Sequence, residues 1–195
     1  ERFARANETR TVPLGIHLGS LYGTPRDLIG FENISLMLYD DPDLLEEIIE
    51  NQCQLVEKTA ELWFQSVQFD YAHFWEDIAF RNGPMIGPTM FRRLVVPRYK
   101  RLTSLCHRYG VDIVMVDCDG CIDDLVPCWL EAGVNCMFPI EVGTWHANIA
   151  KWREQYGRKI IGVGGVEKFR LSLDRPAIDA EVERLKPLVE LGGYI

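Results

Sequence analysis

Four consecutive apolar residues, Ile113, Val114, Met115 and Val116, run into Asp117, Cys118, Asp119, Gly120 and Cys121. An apolar run without alternation predicts a strand covered on both faces, the habit of parallel sheets. That restricts the chain to α/β architectures. Ionisable groups are expensive to bury, so Asp117 and Asp119 belong where the strand leaves the core. In α/β folds that end of the strands is where ligands bind.

Strand and helix signals alternate along the rest of the chain. Residues 12–18 read as a strand, followed by a short turn or helix opened by Pro25. Asp41-Pro42 is a helix start, an acid at the cap and proline in the first turn. Leu44, Leu45, Ile48, Gln52, Leu55, Val56, Thr59, Leu62 and Trp63 then share one expected helical face. Further strands are expected at 70–77, 113–117, 135–141 and 159–163. Helices are expected at 88–110 with a break at Pro97, and at 123–132, 145–156 and 178–191. Tyr194-Ile195 opens another strand. About six strand starts separated by helices is the repeat of stacked βαβ units. No glycine-rich phosphate turn follows the first strand, as a dinucleotide-binding sheet would show. The expected fold is therefore a (β/α)8 TIM barrel, lacking its first one to three units and its last strand. A whole barrel takes about 250 residues. The 195 residues read as one domain, 1–195, cut from a longer one, since the chain starts at Glu1 and stops at a strand opening.

Composition excludes some classes. A formal net charge of −8 argues against a nucleic-acid surface. No apolar run reaches membrane-spanning length, and residues 1–10 hold no signal-peptide core. The six cysteines lie mostly inside periodic apolar segments, which predicts reduced thiols and a cytoplasmic setting.

Each expected strand ends in polar or special residues: His17 and Ser20; Trp75, Glu76 and Asp77; Asp117 and Asp119; Glu141; Gly164 and Gly165. In a barrel these ends converge on one mouth. Asp117, Asp119 and Glu141 could ligate a hard cation, hold pyrrole or amine N–H groups, or act as acid and base. The alternative is turn acids accepting backbone N–H groups. Cys118 and Cys121 have zinc-knuckle spacing but no second pair, so buried structural thiols are the better reading. Trp63, Trp129, Trp152 and Phe91 are expected in the core and His73 packed inside, whereas Trp75 belongs to the site. The basic residues Arg92, Arg93, Arg98, Lys100, Arg101 and Arg108 are expected on a solvated helix face. Gly164 and Gly165 either let the backbone approach a ligand or make a tight turn.

A family resemblance rests on specific stretches. Glu76-Asp77-Ile78, Asn82-Gly83-Pro84, Pro88-Thr89-Met90-Phe91 and Pro97-Arg98-Tyr99-Lys100 resemble the central signature of the uroporphyrinogen decarboxylase superfamily. Residues 116–120, Leu125-Val126-Pro127, 131–135, Pro139-Ile140-Glu141, Gly164-Gly165-Val166 and 192–195 follow in the superfamily's order. The resemblance implies a (β/α)8 barrel and one of two activities. One is decarboxylation of uroporphyrinogen without metal or cofactor. The other is methyl transfer to or from a corrinoid protein, often with zinc activating a thiol.

The chain departs from both patterns. Where such methyltransferases carry a His-x-Cys pair it has Asp117-Cys118-Asp119, so two soft zinc ligands become carboxylates, which suit harder ions or none. The decarboxylase's Phe-Asp-Ser-Trp motif is replaced by Phe74-Trp75-Glu76-Asp77, and its arginine-rich motif would lie before Glu1. The resemblance thus implies methyl transfer involving a corrinoid on a partner protein, without the usual zinc site. In that reading Asp117, Asp119, Glu141, Glu76 and Asp77 are catalytic candidates, and His17, Trp75, Gly164 and Gly165 contact substrate. Asp117, Asp119 and Glu141 are the candidate ligands for a divalent metal. The alternatives are a tetrapyrrole decarboxylase and a non-catalytic corrinoid- or porphyrin-binding module. Expected partners are a small-molecule or tetrapyrrole substrate, a corrinoid protein and a second copy in a homodimer, with neither nucleic acid nor membrane.

Overall fold

The computed structural model describes residues 10–195; the first nine residues of the polar N-terminal stretch lie outside it. Strand β1 (Gly15–His17) is followed by helices α1 (Gly23–Ile29), α2 (Phe31–Asp40) and α3 (Pro42–Phe64). Then come β2 (Tyr71–Trp75), a small antiparallel hairpin of β3 (Ala79–Phe80) and β4 (Gly83–Pro84), and helices α4 (Pro88–Leu94) and α5 (Val96–Arg108). Strand β5 (Ile113–Asp117), α6 (Val126–Glu131), β6 (Cys136–Ile140), α7 (Val142–Trp145), α8 (Ile149–Tyr156), β7 (Ile161–Gly164) and α9 (Arg175–Glu190) complete the order.

Five strands form one parallel sheet in the order β1-β2-β5-β6-β7. Apart from the hairpin, that order is simply chain order, and Tyr194 adds a parallel bridge to Gly162 beyond β7. The fold is α/β with a parallel sheet, as expected, and among the described residues the sheet does not close into a barrel.

One face of the sheet is sealed by helices. Ile16, Ala72, Phe74, Val114 and Val116 point into it and are buried. Helix α3 meets it with Leu45, Ile49, Cys53, Val56, Ala60 and Phe64, a stripe at steps of three and four. This stripe is not the expected one, because Leu44, Leu55, Leu62 and Trp63 are exposed. Small residues at Cys53 and Ala60 let the helix sit close, which rotates the seam away from the bulkier residues. Phe91, Trp129 and Trp152 are buried as expected, and Trp63 is not.

The other face is open. Ile113 is exposed and Met115 half-buried, so the apolar run 113–116 is covered on one side only. In register across this face lie His17, His73, Met115, Cys136 and Ile161, and one step on Trp75, Asp117 and Phe138.

Two breaks follow the local chemistry. Residues 88–108 form two helices joined at Val95, with Pro97 in the first turn of the second. The expected helix 145–156 divides at His146, in the left-handed region at φ 63°, and restarts with Asn148 accepting from the Ala150 N–H.

Candidate active site

The carboxyl end of β5 holds the densest group of acids on the open face. Asp117 lies beside His73 of β2, with Oδ2 3.7 Å from Nε2. His73 in turn shares a 3.1 Å Nδ1–Nδ1 contact with His17 of β1. Period-two geometry makes this possible: His17 and His73 are register partners, and Asp117 lies one diagonal step on.

Burial raises the Asp117 carboxyl, and the neighbouring charges of Asp119 and Asp77 raise it further, to about 6. Burial lowers His73, with His17 adding to the effect. Both partners of the 3.7 Å approach are thus driven toward their neutral forms, and the contact is a poised pair, not a settled ion pair. Asp119 is also raised, by burial, Glu141 and Asp77, against Lys168. A carboxyl titrating near 6 exchanges a proton close to neutral pH.

The surrounding loops explain how the acids are held. The Gly120 N–H donates to Glu141 at 2.6 Å, and the Thr144 hydroxyl donates to the other Glu141 oxygen at 2.9 Å. Glu141 therefore ties the β5–α6 loop to the β6–α7 loop. Gly120 allows this because it has φ 89° and passes so close to the hairpin that a Cβ would lie 2.4 Å from the Ala79 carbonyl oxygen.

Asp77 follows β2 in the left-handed region at φ 47°, and its side chain makes no hydrogen bond among the described residues. Trp75, at 41% exposure, presents its ring at the same strand end.

The expected residues do not all meet. Glu76 is not at the mouth: it is fully buried, with both oxygens occupied by donors. Gly164 and Gly165 lie two strands from β5, about 10 Å at sheet spacing. There they make room for packing: a Cβ on Gly165 would meet Tyr194 Oη at 2.6 Å, and the Gly165 carbonyl accepts from Arg184 at 2.6 Å. Among the described residues no three His, Cys, Asp or Glu side chains are grouped so as to hold a metal ion. Asp117, Asp119 and Glu141 are therefore not assembled as a ligand set, since the Glu141 oxygens already serve Gly120 and Thr144. Cys118 is buried, accepts from the Ile78 N–H at 3.3 Å and is pushed up to about 12 by burial, as a structural thiol would be, and among the described residues no third ligand groups with Cys118 and Cys121.

His73 is the residue sequence reasoning misplaced. Its spacing of two from Trp75 shares a face with it, but the register that brings it to His17 and Asp117 is a tertiary fact.

The sequence model of the uroporphyrinogen decarboxylase (URO-D) family matches residues 2–195. No curated protein sequence matches the chain. Among solved structures, a methyltransferase from Methanosarcina mazei is similar in fold, with a TM-score of 0.64 at 14% identity. The match covers 85% of this chain and 50% of that one, so the chain spans about half the length of that relative.

Proposed function

The chain belongs to the uroporphyrinogen decarboxylase (URO-D) family, and on that premise we propose that it carries out methyl transfer to or from a corrinoid held by a partner protein. The observation that carries this reading is Asp117, a carboxyl pushed up to about 6 at the open end of a parallel strand. The likeness in fold to a methyltransferase is consistent with it, and five parallel strands in chain order are compatible with part of a barrel. Six unpaired cysteines accord with a reducing, cytoplasmic setting.

The corrinoid, when its carrier docks, supplies the cobalt centre that gives or takes the methyl group. The chain's own part is proton handling. In its neutral form Asp117 donates to the oxygen or nitrogen left behind when a methyl group departs. As a carboxylate it accepts the proton from a thiol about to be methylated. Burial first, and then the charges of Asp119 and Asp77, hold Asp117 near its neutral form. The exposed ring of Trp75 offers a flat surface to a planar macrocycle.

A second reading, decarboxylation of a tetrapyrrole, is favoured by the family description. There Asp77, Asp117 and Asp119 would accept pyrrole N–H groups, and the protonated Asp117 would supply the proton that replaces carbon dioxide.

One experiment separates them. The whole protein is given methylcobalamin with a simple thiol and, separately, uroporphyrinogen. Methyl transfer predicts loss of the methyl–cobalt absorbance, slowed by about 10²–10⁴ in Asp117→Asn. An unchanged rate in that variant overturns the role of Asp117. Conversion of uroporphyrinogen alone supports the second reading and overturns the first.

A further inference from the structure

Glu76 has no substrate-facing surface, yet it has the most hydrogen-bonded side chain at this end of the sheet. One oxygen accepts from the Leu21 N–H at 2.8 Å and the Tyr99 hydroxyl at 2.6 Å. The other accepts from the Ser20 hydroxyl at 2.7 Å, the Gly23 N–H at 2.9 Å and the Tyr22 N–H at 3.1 Å. These donors come from the β1–α1 loop, from the first turn of α1 and from α5. A carboxylate satisfied this fully in the core is rigid and costly to disturb.

The same cluster closes on Asp77. Helix α1, gripped at its first turn by Glu76, carries Arg26, whose guanidinium donates to the Asp77 carbonyl and, at 3.4 Å, to the Glu76 carbonyl. The Glu76 N–H donates to the Asp117 carbonyl at 2.9 Å, and the Asp77 N–H points at the same oxygen at 3.4 Å. Asp77 is thus fixed through both of its backbone polar groups, in a left-handed conformation uncommon for a residue with a side chain. The ring has no slack, because a Cβ on Gly23 would lie 2.3 Å from the Glu76 carbonyl oxygen.

We propose that Glu76 is a positioning residue: through α1 and Arg26 it holds Asp77 in its left-handed turn, so that the Asp77 carboxylate stands beside Asp117 at the open face. The role rests on the reading of Asp117 and Asp77 as the working acids, and it differs from the sequence expectation that Glu76 itself lines the mouth.

The test uses Glu76→Gln, Asp77→Asn and their double variant in the whole protein. Hydrogen exchange at the Leu21, Tyr22 and Gly23 amides reads the grip without any activity, and it should quicken about ten-fold or more in Glu76→Gln. Methylcobalamin turnover, corrected for folded fraction by near-ultraviolet circular dichroism, should fall in kcat with KM unchanged. The double variant should be no slower than Asp77→Asn alone, since both changes remove the same placement. Unchanged amide exchange, or fully additive losses in the double variant, overturns the proposal. If Glu76→Gln does not fold, Tyr99→Phe removes one donor while keeping the ring; it should show the same pattern more weakly, and normal exchange with normal kcat overturns the proposal. If Asp117→Asn and Asp77→Asn both turn over like the unaltered protein, the functional reading fails instead, and the exchange measurement still decides the grip.

Discussion

Asp117 sets activity against stability. Its carboxyl is raised from 3.8 to about 6 in the folded protein, so the folded state binds the proton more tightly than the unfolded one. The stabilisation from that proton is complete below about pH 4 and is lost as pH rises through 6. At pH 8 the buried charge is a burden. Asp117→Asn should therefore unfold at higher temperature than the parent at pH 8, by about 1–3 kcal/mol of stability, while losing turnover. The gain should vanish near pH 4; thermal melts at the two pH values check this. A different residue-scale outcome is expected at Gly23, where an added methyl group meets the Glu76 carbonyl oxygen at 2.3 Å and the Ser20 hydroxyl at 2.6 Å, and the backbone cannot yield as a side chain does. Gly23→Ala should destabilise by about 1–3 kcal/mol in urea unfolding.

Between elements, the basic residues of α4 and α5 are exposed as expected at Arg92, Arg93, Lys100 and Arg108, while Arg98 and Arg101 are half-buried in ion pairs. Arg98 reaches Glu46 at 2.9 Å and Glu50 at 2.8 Å, Arg101 reaches Glu50 and Glu57 at 2.5 Å, and Lys100 reaches Glu131 at 2.9 Å. The Arg98 and Arg101 pairs fasten α5 to α3 above the packed stripe, and Lys100 ties α5 to α6. Burial alone would raise Glu50, but hydrogen bonds from Arg101, Gln54 and Arg98 outweigh it and hold the carboxyl at about 2. That contribution is present above about pH 4.5 and lost as pH falls toward 2. Arg101→Met should lower stability at pH 7 by about 1 kcal/mol, and the difference should shrink at pH 2 to 3. Helices and strands with strong caps and runs were legible in the sequence: Asp41-Pro42, the 113–117 strand and the Pro97 break. Helix α2 and the β3–β4 hairpin were not. Helix α2 has no side-chain cap and starts directly from Gly30, and the hairpin is two residues a side, too short for alternation to register.

At the scale of the whole molecule, the sheet order was readable because strands alternated with helices and no switch in order was needed. The site was readable as a location, the β5 end, but not as a membership list. Which acids meet depends on register between strands and on whether a carboxylate turns inward, as Glu76 does, or outward, as Asp77 does. The thiols provide a global check. Cys53, Cys106, Cys118, Cys128 and Cys136 are buried and Cys121 only partly so. Native alkylation followed by mass spectrometry should modify Cys121 first, with the other five labelled only on unfolding. No helix among the described residues is long and apolar enough to cross a membrane.

The sheet order also governs how the chain acquires its shape during synthesis. Because strands pair in the order they are made, every strand leaving the ribosome finds its neighbour already waiting, and the sheet can grow unit by unit at about 5–20 residues per second. Glu76 is the exception to that schedule. It reaches back to Ser20 and forward to Tyr99, so a nascent chain halted between Glu76 and Tyr99 carries a carboxylate with one partner unmade. The first unit locks only when the helix bearing Tyr99 arrives.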